Sequence, residues 1–152
     1  MKVRLGDIIE FRTGKGFAYA LYTHRHPRYG ALLRVFDQLF PTRPVDLQSL
    51  LGHPVRFATF FPLQAATDKG IVGIVKNVPV PDHLKVFPLF RAGAVDPGTK
   101  KVSRWWLWDG EQEWQVGDLT PDQRKLPIRG VLNDTLLIKR IEEEWRPEDD
   151  PR

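Results

Sequence analysis

Cysteine is absent from this chain. That excludes thiolate zinc sites, a thiol nucleophile and any disulfide staple. Serine is scarce: Ser49 and Ser103 are the only two. Neither stands in a Gly-x-Ser-x-Gly context, so no serine-centred acyl-transfer motif is present. No window approaches 18 consecutive apolar residues, which argues against a membrane-crossing helix. The opening MKVRLGDIIEF lacks the uninterrupted apolar region of a secretion signal. No phosphate-cradling loop is found either; Thr13-Gly14-Lys15-Gly16 lacks the Walker spacing and reads as a turn between strands. The expectation is a soluble cytoplasmic protein with no membrane partner, no cofactor and no catalytic residues.

What is present favours a packed fold. The length of 152 residues fits one domain, here expected over 1–146 with 147–152 as a flexible acidic tail. Five Trp and nine Phe supply large buried area. Thirteen prolines and twelve glycines cut the chain into short pieces, the signature of many short strands and turns.

The first strand is expected within Val3–Phe11, with Gly6 marking a bulge or a close backbone approach. A second covers Phe17–Thr23, with Phe17, Tyr19 and Leu21 on one face and Ala18, Ala20 and Tyr22 on the other. A third covers Gly30–Phe36, completing an antiparallel meander. Asp46 N-caps a short helix that stops at Gly52. Val55–Phe61 and Ile71–Lys76 read as strands, with a short helix from Pro62 to Gly70 between them. Pro79, Pro81 and Pro88 make the next stretch extended or irregular. RWWLWDGEQEWQV reads as a hairpin in which Trp105 and Trp106 face opposite ways. Leu137, Ile138, Ile141 and Trp145 form a helical stripe beginning near Asn133-Asp134. The fold class is α+β. Its expected form is a strongly bent antiparallel sheet with an SH3-like or half-barrel start, short connecting helices and a C-terminal amphipathic helix.

Charge is uneven. Residues 1–34 carry seven Lys/Arg against Asp7 and Glu10, net +5, while residues 133–152 are net −3. The most unusual stretch is Tyr22-Thr-His-Arg-His-Pro-Arg-Tyr29. If the strand continues to His26, then Tyr22, His24 and His26 project to one side. Two imidazoles on one face could begin a metal site, completed by Asp7 or Glu10, but a zinc site needs three or four ligands. As acid–base groups the histidines have a suitable intrinsic pKa but no evident nucleophile. The binding reading is stronger. Tyr22, His24, Arg25, His26, Arg28, Tyr29 and Arg34 mix cations with rings, a combination that suits protein hot spots or phosphates and stacked bases.

Gly6 to Phe36 resembles the opening of the immunity protein 26 family of bacterial toxin–immunity systems. The matching features are Gly6-Asp7 followed by apolar residues, a glycine turn, and the aromatic–Ala–Tyr strand Phe17-Ala18-Tyr19-Ala20. The resemblance implies a cytoplasmic, non-enzymatic protein that neutralises a cognate toxin by direct contact. The positive charge suits an acidic toxin surface better than a basic nuclease. Two other readings stand beside it: a small β-barrel nucleic-acid-binding module, and a metal-assisted hydrolase using His24 and His26.

Overall fold

Asp7-Ile8-Ile9-Glu10-Phe11 carries apolar residues on both sides of an extended chain, so a strand here needs cover on both faces. The computed structural model, which describes residues 1–152, supplies that cover. Strand β1 (Asp7–Thr13) is followed by β2 (Gly16–His26), β3 (Gly30–Phe36) and β4 (Val55–Phe61). A short helix α1 (Leu63–Asp68) leads to β5 (Gly73–Asn77). The five strands form one antiparallel sheet in the order β4-β3-β2-β1-β5. Ile9, Phe11, Ala20, Tyr22, Leu33 and Val35 point to one face, where α1 and helix α3 (Asp134–Glu142) pack through Leu63, Ala66, Leu137 and Ile141. Ile8, Tyr19, Leu21 and Phe36 point to the other. There Leu50 of a 3-10 helix (Leu47–Gly52) and Leu84 of α2 (Asp82–Lys85) close over them.

The α+β class and the β1–β3 meander stand as expected. The sheet is not closed into a barrel, because β4 and β5 lie at its two edges and do not pair with each other. The backbone at Val131-Leu132 covers the β4 edge, with the Leu132 N–H donating to the Phe60 carbonyl (2.9–3.0 Å is the usual range; here 3.0 Å). Three register shifts, at Ile8/Ile9, Tyr22/His24 and Val35/Phe36, interrupt the ladders. The stretch expected to be irregular after Pro79 contains α2, entered from Pro81 just before its first residue.

The chain separates into two compact units, Met1–Val86 with Gly130–Trp145, and Phe87–Arg129 with Arg146–Arg152. The second has its own three-stranded sheet, β6 (Phe90–Ala92), β7 (Trp105–Trp108) and β8 (Glu113–Gly117), in that order. Residues 147–152, expected as a loose tail, are packed into this unit. Arg91 is fully buried, its guanidinium lies 4.8 Å from the Trp105 ring centroid, and it donates to the Pro147 carbonyl. Desolvation lowers its pKa to about 10. Asp150 is also buried and accepts two 2.8 Å bonds from Arg152, while Arg124 donates to its carbonyl. A buried guanidinium must find acceptors, and the C-terminal turn brings it one.

Helix α3 begins as expected: the Asn133 side chain accepts from the Leu136 N–H. It stops earlier than Arg146-Pro147 because Glu144 adopts φ 55°. Trp145 N–H then donates to Arg140 and Glu144 N–H to Ile141, the paired bonds of a Schellman ending. The Arg140 guanidinium sits 4.1 Å from the Trp145 ring centroid and ties the same two positions together. A left-handed conformation is costly for any residue with a β-carbon. Glu144→Gly is therefore expected to stabilise the protein by about 0.5–1 kcal/mol, seen as a higher urea midpoint. Its contact with Arg56, 3.8 Å from an exposed carboxylate, offsets little of this. An unchanged or lower midpoint would refute the account.

Candidate functional site

Strand β2 presents the sequence-predicted residues. Up to Tyr22 it alternates as expected, with Tyr19 and Leu21 in one core cluster and Ala18, Ala20 and Tyr22 in the other. Then the register moves: Tyr22 pairs with Leu33, but His24 pairs with Leu32. Thr23 is the extra residue of a bulge, and a bulge re-aims every side chain beyond it. Arg25, not His24, therefore lies on the Tyr22 side. The expectation that Tyr22, His24 and His26 share one face is corrected by this single inserted residue.

His24 and Arg34 sit on the opposite face and are used internally. The His24 Nε2–H donates to the Lys85 carbonyl at 2.7 Å, and Nδ1 accepts from the Thr23 hydroxyl at 2.9 Å. Burial pushes the His24 pKa down and the nearby Arg34 charge adds to that, against the pull of the Lys85 carbonyl. Arg34 Nη2 donates to the Val86 carbonyl at 2.8 Å, and burial lowers its pKa as well. Together they hold the end of α2 against the sheet. With Nε2 donating and the Nδ1 lone pair taken by the Thr23 hydroxyl, neither His24 nitrogen is open to a metal ion. No group of three His, Asp or Glu side chains gathers as a metal site. Asp7, offered as a third ligand, instead accepts from the Arg4 N–H (2.7 Å) and the Asn77 amide (2.8 Å).

His26 builds the turn. Its Nδ1 accepts from the backbone N–H groups of Arg28 (3.1 Å) and Tyr29 (3.3 Å). Tyr29 folds back to stack on Phe60, with ring centroids 5.2 Å apart. Arg28 stays exposed on the turn.

Tyr22, Arg25 and Tyr29 come together on one groove of about 530 Å³. Its remaining walls were not legible in the sequence. Phe61 and Leu63 arrive from the β4–α1 junction, and Val131 from the segment before α3. Lys2 and Val3 are brought in by Gln64 of α1, whose side chain accepts from the Val3 N–H and donates to the Met1 carbonyl, each at 2.9 Å. That tie spans more than sixty residues, and no local pattern announces it. The groove contains no Asp or Glu. Lys2, Arg25 and Arg28 form no ion pair. Tyr22 is 4% exposed, and its hydroxyl, which has no protein partner, reaches solvent at the groove. Burial raises its pKa, with Arg25 acting against and Asp7 with the shift. The phenol therefore keeps its proton and stands as a donor.

Two other concave places differ from this groove in charge and in open donors. One, of about 300 Å³, lies beside Glu10, Arg12 and Arg43; its carboxylate is taken by Tyr19 and Arg43. The other belongs to the second unit, about 490 Å³ beside Trp106, Glu113 and Arg129. Trp106 is 37% exposed there, the outward indole that strand alternation requires, but Glu113 and Arg129 are already paired at 2.8 Å. The Tyr22 groove combines unpaired cations with a phenol that has no protein acceptor.

No protein-family model matches the chain, and neither a curated protein nor a solved structure does. No helix is long and apolar enough to cross a membrane.

Proposed function

We propose that this protein is a non-enzymatic, cytoplasmic binding protein of immunity type, which neutralises a cognate toxin domain by holding an acidic part of its surface at the Tyr22 groove. The observation that carries the reading is the meeting of Tyr22, Arg25, Tyr29 and Lys2 on one concavity with no anion of its own. Electrostatic complementarity of this kind speeds encounter and rejects basic partners. The open sheet removes the closed barrel on which the nucleic-acid alternative was framed.

The test is coexpression with a toxin encoded beside the gene, scored by growth and by copurification. The parent protein is expected to protect. Lys2→Glu combined with Arg25→Glu is expected to weaken capture by about 10- to 100-fold while leaving the melting temperature unchanged. Lys139→Glu, on the exposed side of α3, is expected to protect like the parent. Absence of any protected toxin, or full protection by the double variant, would overturn the reading.

A further inference from the structure

We propose that the groove of the first unit receives a short acidic–apolar segment of the partner chain, an Asp or Glu side chain beside a large apolar residue, with the Tyr22 hydroxyl donating to the entering carboxylate. The inference rests on the partner-binding reading above and specifies which chemistry of the partner enters.

Three features define the occupant. The first is the Tyr22 hydroxyl itself. Tyr22 is 4% exposed as a residue, but its hydroxyl has no protein partner and reaches solvent at the open groove it lines. A carboxylate entering the groove can replace the water there, and a protonated phenol gives a strong bond to it. The second is charge. Lys2 and Arg25 line the groove, no carboxylate lines it with them, and neither forms an ion pair, so an anion is the matching acceptor. One phenol and two cations on flexible stems match a single negative charge; a phosphate, with three acceptor oxygens and nearly two charges, calls for more donors. The third is the apolar wall of Val3, Phe61, Leu63 and Val131, which would repel a bare ion and favours an adjoining hydrocarbon side chain. A space of about 530 Å³ accepts side chains of two or three residues. A nucleic acid fits less well, because base stacking needs an open ring face and one face of Tyr29 is already covered by Phe60.

The full chain is titrated with the peptide acetyl-Gly-Phe-Glu-Leu-Gly-amide, followed by calorimetry and amide NMR. Controls are the same peptide with Gln for Glu, free N-acetylphenylalanine, and oligothymidylate. The Glu peptide is expected to bind, with shifts centred on Tyr22, Arg25 and Ala31, and the Gln peptide to bind at least tenfold more weakly. Tyr22→Phe removes only the unpartnered hydroxyl, so it is expected to melt no lower than the parent. It should bind the Glu peptide about tenfold more weakly and the Gln peptide unchanged. Arg25→Gln gives a second, exposed variant with the same expected loss.

Equal affinity for the Glu and Gln peptides, no effect of Tyr22→Phe, or no peptide binding at about 1 mM would overturn the proposal. Tighter binding of free N-acetylphenylalanine or of oligothymidylate would overturn it too, and would assign the groove to a small carboxylate or to a nucleic acid. The two readings fail separately. Toxin capture that depends on Lys2 and Arg25 without peptide binding removes this inference and keeps the partner; peptide binding as described without any protected toxin does the reverse.

Discussion

Gly6→Ala is expected to destabilise the protein by about 4 kcal/mol or more, a large part of its total stability. Gly6 has φ 90°, in the half of conformational space that a β-carbon disfavours by about 1–2 kcal/mol. A β-carbon at this position would also overlap the Val78 carbonyl oxygen, a backbone atom that cannot swing aside. The residue is a junction as well. Its N–H donates to the Tyr22 carbonyl at 2.8 Å, and its carbonyl accepts from the Val78 N–H at 2.9 Å. Relieving the overlap means breaking that junction, so the total reaches about 4 kcal/mol or more. Domains of this kind have only about 5–15 kcal/mol in all.

Two further glycines separate strain from overlap. Gly30 has φ 84° but open space around it, so Gly30→Ala is expected to cost about 1 kcal/mol. Gly52 has neither constraint, so Gly52→Ala is expected to stay within about 0.5 kcal/mol of the parent. Urea denaturation of the three variants tests the series. A Gly6→Ala protein as stable as Gly30→Ala would show that the junction is softer than its geometry. The same junction fixes the backbone of Tyr22, so partial losses at Gly6 should also loosen the groove.

The strands that could be read from the sequence share one property: their information is local. β3 and β4 begin and end where glycine, proline and β-branched runs place them, and Asp46 and Asn133 cap the helices their positions announce. The face assignment of β2 holds from Phe17 to Tyr22 because alternation needs only neighbours. It fails at Thr23, since a bulge is set by how two strands meet. That one residue decides the candidate site. It sends His24 to support α2 and delivers Arg25 to the groove.

The rest was hidden for a related reason. Lys2 enters through Gln64, and Val131 enters through pairing with Phe60; each contact joins segments far apart in the chain. Arg34 read as part of a basic rim because it is a cation close in the chain to Arg25, Arg28 and Tyr29. In the fold it donates to the Val86 carbonyl instead. β6 is three residues long and fully buried, too short for periodicity to detect.

Glu10 illustrates the same hidden layer and carries the second large effect. It is 4% exposed, accepts from the fully buried Tyr19 hydroxyl at 2.7 Å, and is clasped by Arg43 at 2.8 and 3.1 Å. Glu10→Ala strands the Tyr19 hydroxyl and leaves a cavity, whereas Arg43, half exposed, returns its charge to water and adds little. The expected loss is about 3 kcal/mol. Tyr19→Phe is expected to cost about 1 kcal/mol, and the double variant less than the sum, because the two groups share one bond.

The pH dependence follows from the same bonds. The Arg43 hydrogen bonds hold the Glu10 pKa below its usual value, with burial opposing and Tyr19 assisting. A depressed carboxylate contributes stability that is complete above its unfolded pKa, about 4.3, and that disappears as pH falls through the lower folded value. The Tyr19 phenol is shifted the other way, by burial first and by Glu10 second. Its contribution is complete below about pH 10 and is lost as pH rises towards the folded value. Urea midpoints measured across pH should therefore fall at both extremes for the parent. Glu10→Gln, without the carboxylate, should lose less between neutral and acid pH than the parent loses. Parallel acid limbs for the two proteins would mean that Glu10 does not govern the acid side of the stability profile.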